Sequence, residues 1–581
     1  MPNINLNLNI HLPFENSMAK KIHGGDILIK CLLEENVKYM FGIPGGQLLP
    51  MYDAIYQWGR EKGINTVLFR HEQVAAHAAD AYTRVTNTPG VCFGTVGPGA
   101  LHLLPGIGPA WSDNIPVVVI IPQVNSQSED SFILQGNLDQ IALFKPITKY
   151  QKSIRRIEEI PDAVHKIFRE VSSGRPQPVV LEIFSDAFYE TIEEGQISIL
   201  PSNQYRAIRK PAVEISLIKE SLELLLSAKK PLIVSGGGVL RAEAWSELKE
   251  LTEYLQIPVI TSHGGIGTFS NKSKCSLGIL NLSSVQATAG ADVVLALGVK
   301  FSYTLALGKP PAWKDSQKLI HVDIDPSIIG RSKPITLGIV ADCKQYLTQL
   351  LAELKKSNRV EKRDWLETLA ANKKRNQATS IRKANNDEIP INPVRMVKEI
   401  YEFMDEDAIL ITDGGDLTVF AVESINLYKD RKPLSYLQAI GMGHLGVSVG
   451  YGIGAKLGKP DKQVIAICGD GSFMINIQDL ETAVRLGLKN LIFVIGNNSA
   501  WGMIKSCQVV DFDNRFIDVD LPYCNFGKIA ESFGCYGEEV VDPNEIFPAL
   551  ERAKNSKKPA VIDVKIKFEI SSMIKGYTSN L

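Results

Sequence analysis

Residues 462–498 read KQVIAICGDGSFMINIQDLETAVRLGLKNLIFVIGNN, and this segment leaves few folds open. An apolar, β-branched run ends at Cys468. Gly-Asp-Gly then turns the chain into a helix whose first turn contains Ser472, and a second apolar run, LIFVI, closes in Asn497–Asn498. Two strands joined through a helix lie parallel in one sheet, and both ends fall at its carboxyl edge, where open α/β sheets bind ligands. Asp470 and Asn498 are therefore expected to converge although far apart in the chain. A carboxylate, an amide oxygen and a backbone carbonyl are hard oxygen ligands, and with two phosphate oxygens and a water they complete an octahedral magnesium site. Gly471 and Ser472, at a helix N-terminus, offer N–H groups to phosphate. Gly-Asp-Gly alone is a common turn. The distant Asn-Asn, closing a second strand, makes the pattern specific.

The same alternation runs through the rest of the chain. Strand candidates at 66–69, 90–96, 115–121 and 178–184 are separated by amphipathic segments, and a second series follows at 230–238, 291–298 and 318–326. A third opens near Ile391 and includes 408–416, 462–473 and 490–498. Such alternation predicts mostly parallel sheets with helices on both faces. The 581 residues exceed one hydrophobic core, at roughly 150 residues per domain. The expected architecture is α/β, three doubly wound parallel-sheet domains: 20–190, 214–352 and 391–568. A polar, proline-containing linker spans 191–213 and a charged helical one spans 353–390. Residues 1–19 read as an N-terminal extension and 569–581 as a C-terminal tail that folds over the site.

A formal net charge of −1 without a long basic run argues against nucleic acid or an anionic membrane surface as partner. No apolar stretch approaches the ~20 residues that span a bilayer. The N-terminus lacks the basic start and apolar core of a secretory signal. Eight cysteines lie scattered without a CxxC pair, which reads as reduced thiols in a cytoplasmic protein. No segment joins GxGxxG after a strand to an acid about 20 residues on, which excludes a plain NAD-dependent dehydrogenase.

GDG…NN at this spacing resembles the signature of thiamine-diphosphate enzymes, in particular the acetolactate synthase-like superfamily. The likeness covers nearly the whole chain after the first twenty residues. It implies that Asp470, Asn498 and the carbonyl of Ala500 hold Mg²⁺, and that Asp416 and Ser472 contact the diphosphate. In FRHEQVAAHAADAYTR (69–84), Glu72 matches the family glutamate that shares a proton with the cofactor's aminopyrimidine ring. A carboxylate in the first turn of a helix also stabilises that helix without any catalytic role. In the 440–458 segment, which contains Gly443, Leu445 aligns with the apolar wedge that bends the cofactor. GIPGG (42–46), with Gly45, and VGPGA (96–100) look like the family's loops beside it. His71, Gln135 and His102, with His444 beside the wedge, are candidates for handling protons, and Trp501 and Met503 for lining the pocket. The resemblance further implies a homodimer or homotetramer whose sites form between the Glu72 domain of one subunit and the GDG domain of its partner.

The reaction is read from smaller segments. GIPGGQLLPMYDAIYQ (42–57) resembles acetolactate synthase. KFSYT (300–304), Cys507 and the LQG around Gln135 depart from its pattern. ALGKPPAW (306–313), DGGD (413–416), LDQIALFKPITKY (138–150) and NNSAWGMIK (497–505) resemble 2-hydroxyacyl-CoA lyases and oxalyl-CoA decarboxylases. The expectation is therefore a lyase or carboligase of 2-hydroxyacyl-CoA type, acting on a 2-oxo acid, acyl-CoA or aldehyde. ADP or CoA, or else FAD, is expected in the central domain at GGG (236–238) and VDID (322–325). The alternatives are acetolactate synthase and a non-catalytic protein on the same fold.

Overall fold

A computed structural model describes residues 20–574, apart from 137, 208, 282, 283 and 358–362. The extension read at 1–19, and 575–581 of the tail, lie outside the described residues. After a short strand β1 (Lys21–His23), the first sheet holds β2 (Tyr39–Gly42), β3 (Asn65–Leu68), β4 (Gly90–Phe93), β5 (Val117–Gln123), β6 (Tyr150–Ile154) and β7 (Val179–Phe184). Its spatial order is β3-β2-β4-β5-β7-β6, and β8 (Thr191–Glu193) returns to pair antiparallel with β1. The central sheet runs β11-β10-β9-β12-β13-β14, from β9 (Pro231–Ser235), β10 (Val259–Thr261), β11 (Ser276–Ile279), β12 (Val293–Leu297), β13 (Lys318–Asp323) and β14 (Leu337–Val340). The third contains β15 (Ile409–Asp413), β16 (Tyr436–Leu437), β17 (Val464–Gly469), β18 (Leu491–Asn497), β19 (Tyr536–Val540) and β20 (Ala560–Lys565), ordered β16-β15-β17-β18-β20-β19. Strand pairing within all three sheets is parallel.

These are the three α/β domains that the alternation predicts. Strands buried on both faces explain the unbroken apolar runs. Along β5, Val117, Val119 and Ile121 enter one core while Val118 and Ile120 enter another. β17 divides likewise, with Val464, Ala466 and Cys468 on one side and Ile465 and Ile467 on the other. The outer domains share one strand order. The central domain has the order of dinucleotide-binding folds, and each sheet has a switch point where its winding reverses: β2/β4, β9/β12 and β15/β17. Among the described residues no helix is long and apolar enough to cross a membrane.

One core is common to the first and third domains. It forms where the alanine-rich helix Glu72–Thr86 lies along the glycine-rich helix Ser448–Gly458. Small side chains let the two backbones approach closely. A Cβ at Gly454 would stand 2.1 Å from the Ala78 carbonyl oxygen, a contact that neither backbone can relieve alone. Gly454→Ala is accordingly expected to destabilise the protein by about 3 kcal/mol or more, beyond ordinary overpacking, read as a lower midpoint in urea.

The same junction carries a buried carboxyl. Asp479 accepts from the backbone N–H of Arg70 (2.8 Å) and the Thr482 hydroxyl (2.8 Å), and its other oxygen has no partner. Burial pushes it up to about 6. Because its folded value lies above its ordinary 3.8, its contribution to stability is full below pH 4 and is lost as pH rises through 6. The difference is of order 3 kcal/mol. Asp479→Asn is expected to flatten the pH dependence of the melting temperature between pH 4 and 7, and an unchanged slope would refute this assignment.

Candidate active site

In the third domain, the predicted residues gather at the β15/β17 switch point. Asp470 follows β17, and its buried carboxylate accepts from the N–H of Gly471 at 2.9 Å. Burial pushes it up to about 6, while backbone N–H groups of Gly471, Ala500 and Ser499 act in the opposite direction. The Asp470 carboxylate thus lies against the loop that carries Asn498. Asn498 Oδ1 accepts from Ala500 N–H (3.1 Å), and Ser499 takes a left-handed backbone, φ +52°, to turn the loop. The Trp501 ring covers Gly471, where a Cβ would come within 2.8 Å, and Met503 covers Gly415. Asp470, Gly471, Ser472, Asn498, Ala500, Trp501, Met503 and Asp416 therefore form one cluster.

Sequence reasoning missed the residue that organises it. Asp413, at the end of β15, is fully buried and accepts from the N–H groups of Gly446 (3.2 Å) and Ser448 (2.8 Å) and from the Ser472 hydroxyl. Burial raises its pKa and these donors oppose the rise. The DGGD motif contained the signal, since Asp413 closes an apolar run. Asp416, three residues on, has its oxygens engaged by the hydroxyls of Ser571 (2.5 Å) and Ser506 (3.3 Å). Part of the predicted tail, with Ser571 and Ile574 buried, thus packs beside this cluster.

The first-domain cluster sits at the β2/β4 switch point. Glu72 begins its helix, 5% exposed, and its carboxylate meets His102 Nδ1 at 3.1 Å and lies over Gly99. His71 caps the same helix, its Nδ1 accepting from Gln73 N–H at 3.1 Å, and its ring stacks on His102 with centroids 4.6 Å apart. Burial, and then His102, lower the His71 pKa. Gly45 abuts Thr95, so closely that a Cβ would overlap the Thr95 side chain. Gln135, at φ +67°, lies against Gly97.

The loop 440–447 bridges the two clusters. Gly441 N–H donates to Asp113 (2.9 Å), His444 Nε2 lies 3.3 Å from Gln73 Nε2, and Gly446 reaches Asp413. Gly443 has φ +62° with open space on its Cβ side, and Leu445 beside it is half-buried. Gly443 and Leu445 thus stand between the cluster of Glu72 and that of Asp470.

The donors fit a hard divalent cation and a diphosphate. Asp470 is a buried carboxylate that makes no ion pair among the described residues, its neighbours offer an amide and a carbonyl oxygen, and Gly469 just before it has open space on its Cβ side. A separate cavity of about 1080 Å³ lies at the central switch point, lined by Gly238, Gly298, Lys300, Asp323 and several arginines, among them Arg175 and Arg331.

Comparison with known proteins follows this division. Residues 22–143, 218–350 and 413–564 match the N-terminal TPP-binding, central and C-terminal TPP-binding domains of the thiamine pyrophosphate enzymes. The chain belongs to the thiamine pyrophosphate enzymes. Within that family the enzyme is a member of the acetolactate synthase-like superfamily. It is 34% identical to a probable acetolactate synthase large subunit of Methanocaldococcus jannaschii over 566 residues, 94% of this chain and 92% of the relative. It is 32% identical to the acetolactate synthase large subunit of Haemophilus influenzae over 559 residues, 94% and 95% of the two chains. An acetolactate synthase of Mycobacterium bovis is 31% identical over 97% of this chain and 91% of its own.

These relatives overturn the 2-hydroxyacyl-CoA lyase reading, and the structure explains why its segments misled. In ALGKPPAW, Trp313 is fully buried, donates to the Leu305 carbonyl (2.8 Å) and packs edge-on against Phe301. In LDQIALFKPITKY, Gln140 is buried in a network with Glu182 and the Pro122 carbonyl. DGGD and NNSAWGMIK build the Asp470 cluster. Trp313 and Gln140 thus serve the scaffold, and the other two segments serve the Asp470 cluster.

Proposed function

We propose that the enzyme decarboxylates one 2-oxo acid and joins the acyl unit that remains to the carbonyl of a second. With pyruvate, two anions and a proton give one 2-acetolactate anion and CO₂. The observation that supports this reading most directly is the near-full-length similarity to proteins named acetolactate synthase. Asp470, the Asn498 side chain and the Ala500 carbonyl would hold Mg²⁺, and the N–H groups at Gly471 and Ser472 the diphosphate. Bound thiamine diphosphate supplies the electron sink for the bonding pair that a departing carboxylate leaves behind. Glu72 would share a proton with the aminopyrimidine ring, Leu445 and Gly443 would hold the ring toward it, and Trp501 and Met503 would keep water out. His71 and Gln135 would orient the second carbonyl. The test is mass spectrometry of products from pyruvate with thiamine diphosphate and Mg²⁺. Acetolactate and CO₂ in a 1:1 ratio are expected, and pyruvate left unconsumed would contradict the reading.

The Glu72 carboxylate meets groups of its own domain, and Leu101, Met442, Met474 and Ile475 near the two clusters are exposed apolar side chains. A second copy of the chain covering them would complete each site in a homodimer, which sedimentation would detect. The central cavity, at the switch point of a dinucleotide-type sheet and rich in guanidinium groups, would take an adenine dinucleotide such as FAD. Yellow protein that releases flavin on denaturation is the expected result. Free cysteines, six of eight buried, suit a cytoplasmic setting.

A further inference from the structure

We propose that His102 is a positioning residue for Glu72, an inference that rests on the role given to Glu72 above. A carboxylate that shares a proton with a ring nitrogen must present one oxygen at a fixed angle, so its other oxygen has to be tied. His102 supplies the tie. Its Nδ1 lies 3.1 Å from Glu72 Oε2, while Oε1 lies over Gly99, where an added Cβ would stand only 3.1 Å away.

The tautomer follows from the partners. An ionised carboxylate only accepts, so Nδ1 of His102 carries the hydrogen and donates it. His71, by contrast, uses Nδ1 to accept from Gln73 N–H, which keeps its own ring from donating there. The two rings stack at 4.6 Å with 28° between their planes, and this contact limits the side-chain rotations open to His102. His102 is therefore held from two sides: by the His71 ring and by the carboxylate it orients. Its helix, Pro98–Asp113, is fastened at its start by Ala100 N–H to the Thr95 carbonyl (2.9 Å), on the loop that also meets Gly45. Among the described residues Glu72 is the carboxylate that His102 pairs with, although half of the histidine side chain remains exposed.

Three variants, His102→Ala, His102→Asn and Glu72→Gln, test this in the full-length enzyme. Asparagine carries its amide nitrogen at the same remove from Cβ as Nδ1, so it can restore the donor. His102→Ala is expected to lower kcat for pyruvate consumption roughly 10- to 100-fold, the loss of one charge-assisted hydrogen bond. KM for pyruvate and Kd for thiamine diphosphate, the latter read by tryptophan fluorescence, should stay within about twofold of wild type, because binding does not use this bond. The near-UV circular dichroism of the bound aminopyrimidine ring, which reads its protonation state, should shift in His102→Ala and return in His102→Asn. If Glu72→Gln abolishes turnover while His102→Ala leaves kcat and the dichroism unchanged, His102 has no positioning role. The same holds if KM and Kd rise in step with the loss of kcat. If Glu72→Gln itself changes neither turnover nor dichroism, the role of Glu72 fails, and that of His102 with it.

Discussion

Glu72→Gln lowers turnover with pyruvate by at least about 100-fold, the lower range for a positioned acid–base group, and leaves thiamine diphosphate bound within about threefold of its original affinity. Glutamine has nearly the same shape, so the helix beginning at Glu72 and the packing around Gly99 persist. It can still accept from His102. What it cannot do is exchange a proton with a ring nitrogen. The helix N-terminus favours the negative charge, so the variant loses some stability, about 0.3–1 kcal/mol. That small loss separates the two readings of this residue. A mere capping carboxylate would show the stability change and no change in rate.

The second large effect is on cofactor capture. Asp470→Asn is expected to weaken binding of thiamine diphosphate with Mg²⁺ by at least about 100-fold, because a neutral amide replaces the cluster's charged hard ligand. The apo fold should change by less than about 2 kcal/mol, since the new amide oxygen still accepts from Gly471 and no ion pair is broken. Isothermal calorimetry with and without EDTA measures the first quantity, and urea unfolding of the apo protein the second. Weak binding with a collapsed apo fold would mean that Asp470 serves structure rather than the metal.

Much of this was legible in the residues. The apolar runs announced buried parallel strands, and GVCFGTV became β4 with its last three residues turning toward the site. The convergence of Asp470 with the Asn498 loop followed from strands that must be neighbours. Other features carry no local signal. AAHAADA and VGYGIGA pack together across most of the chain, and nothing in either stretch names its partner. The DGGD motif offers two acids three residues apart, and only the strand end at Asp413 shows which one ties Gly446 and Ser472 together. His102 was legible only as a candidate for handling protons, and nothing in the sequence paired it with Glu72, because that partner arrives from a different helix. The reaction was misread because short segments such as ALGKPPAW were weighed as chemistry when a residue such as Trp313, fully buried, serves packing.

The central claim is that two neighbouring strand ends, Asp470 and the Asn498 loop, hold a divalent cation together with a diphosphate. Electron paramagnetic resonance of Mn²⁺ measures this directly, since free and bound ion give distinct signals. The full-length protein should bind one Mn²⁺ per chain tightly only when thiamine diphosphate is present, and Asp470→Asn and Asn498→Ala should each abolish that signal. Tight Mn²⁺ binding that survives in both variants, or thiamine diphosphate bound equally well in EDTA, would contradict it.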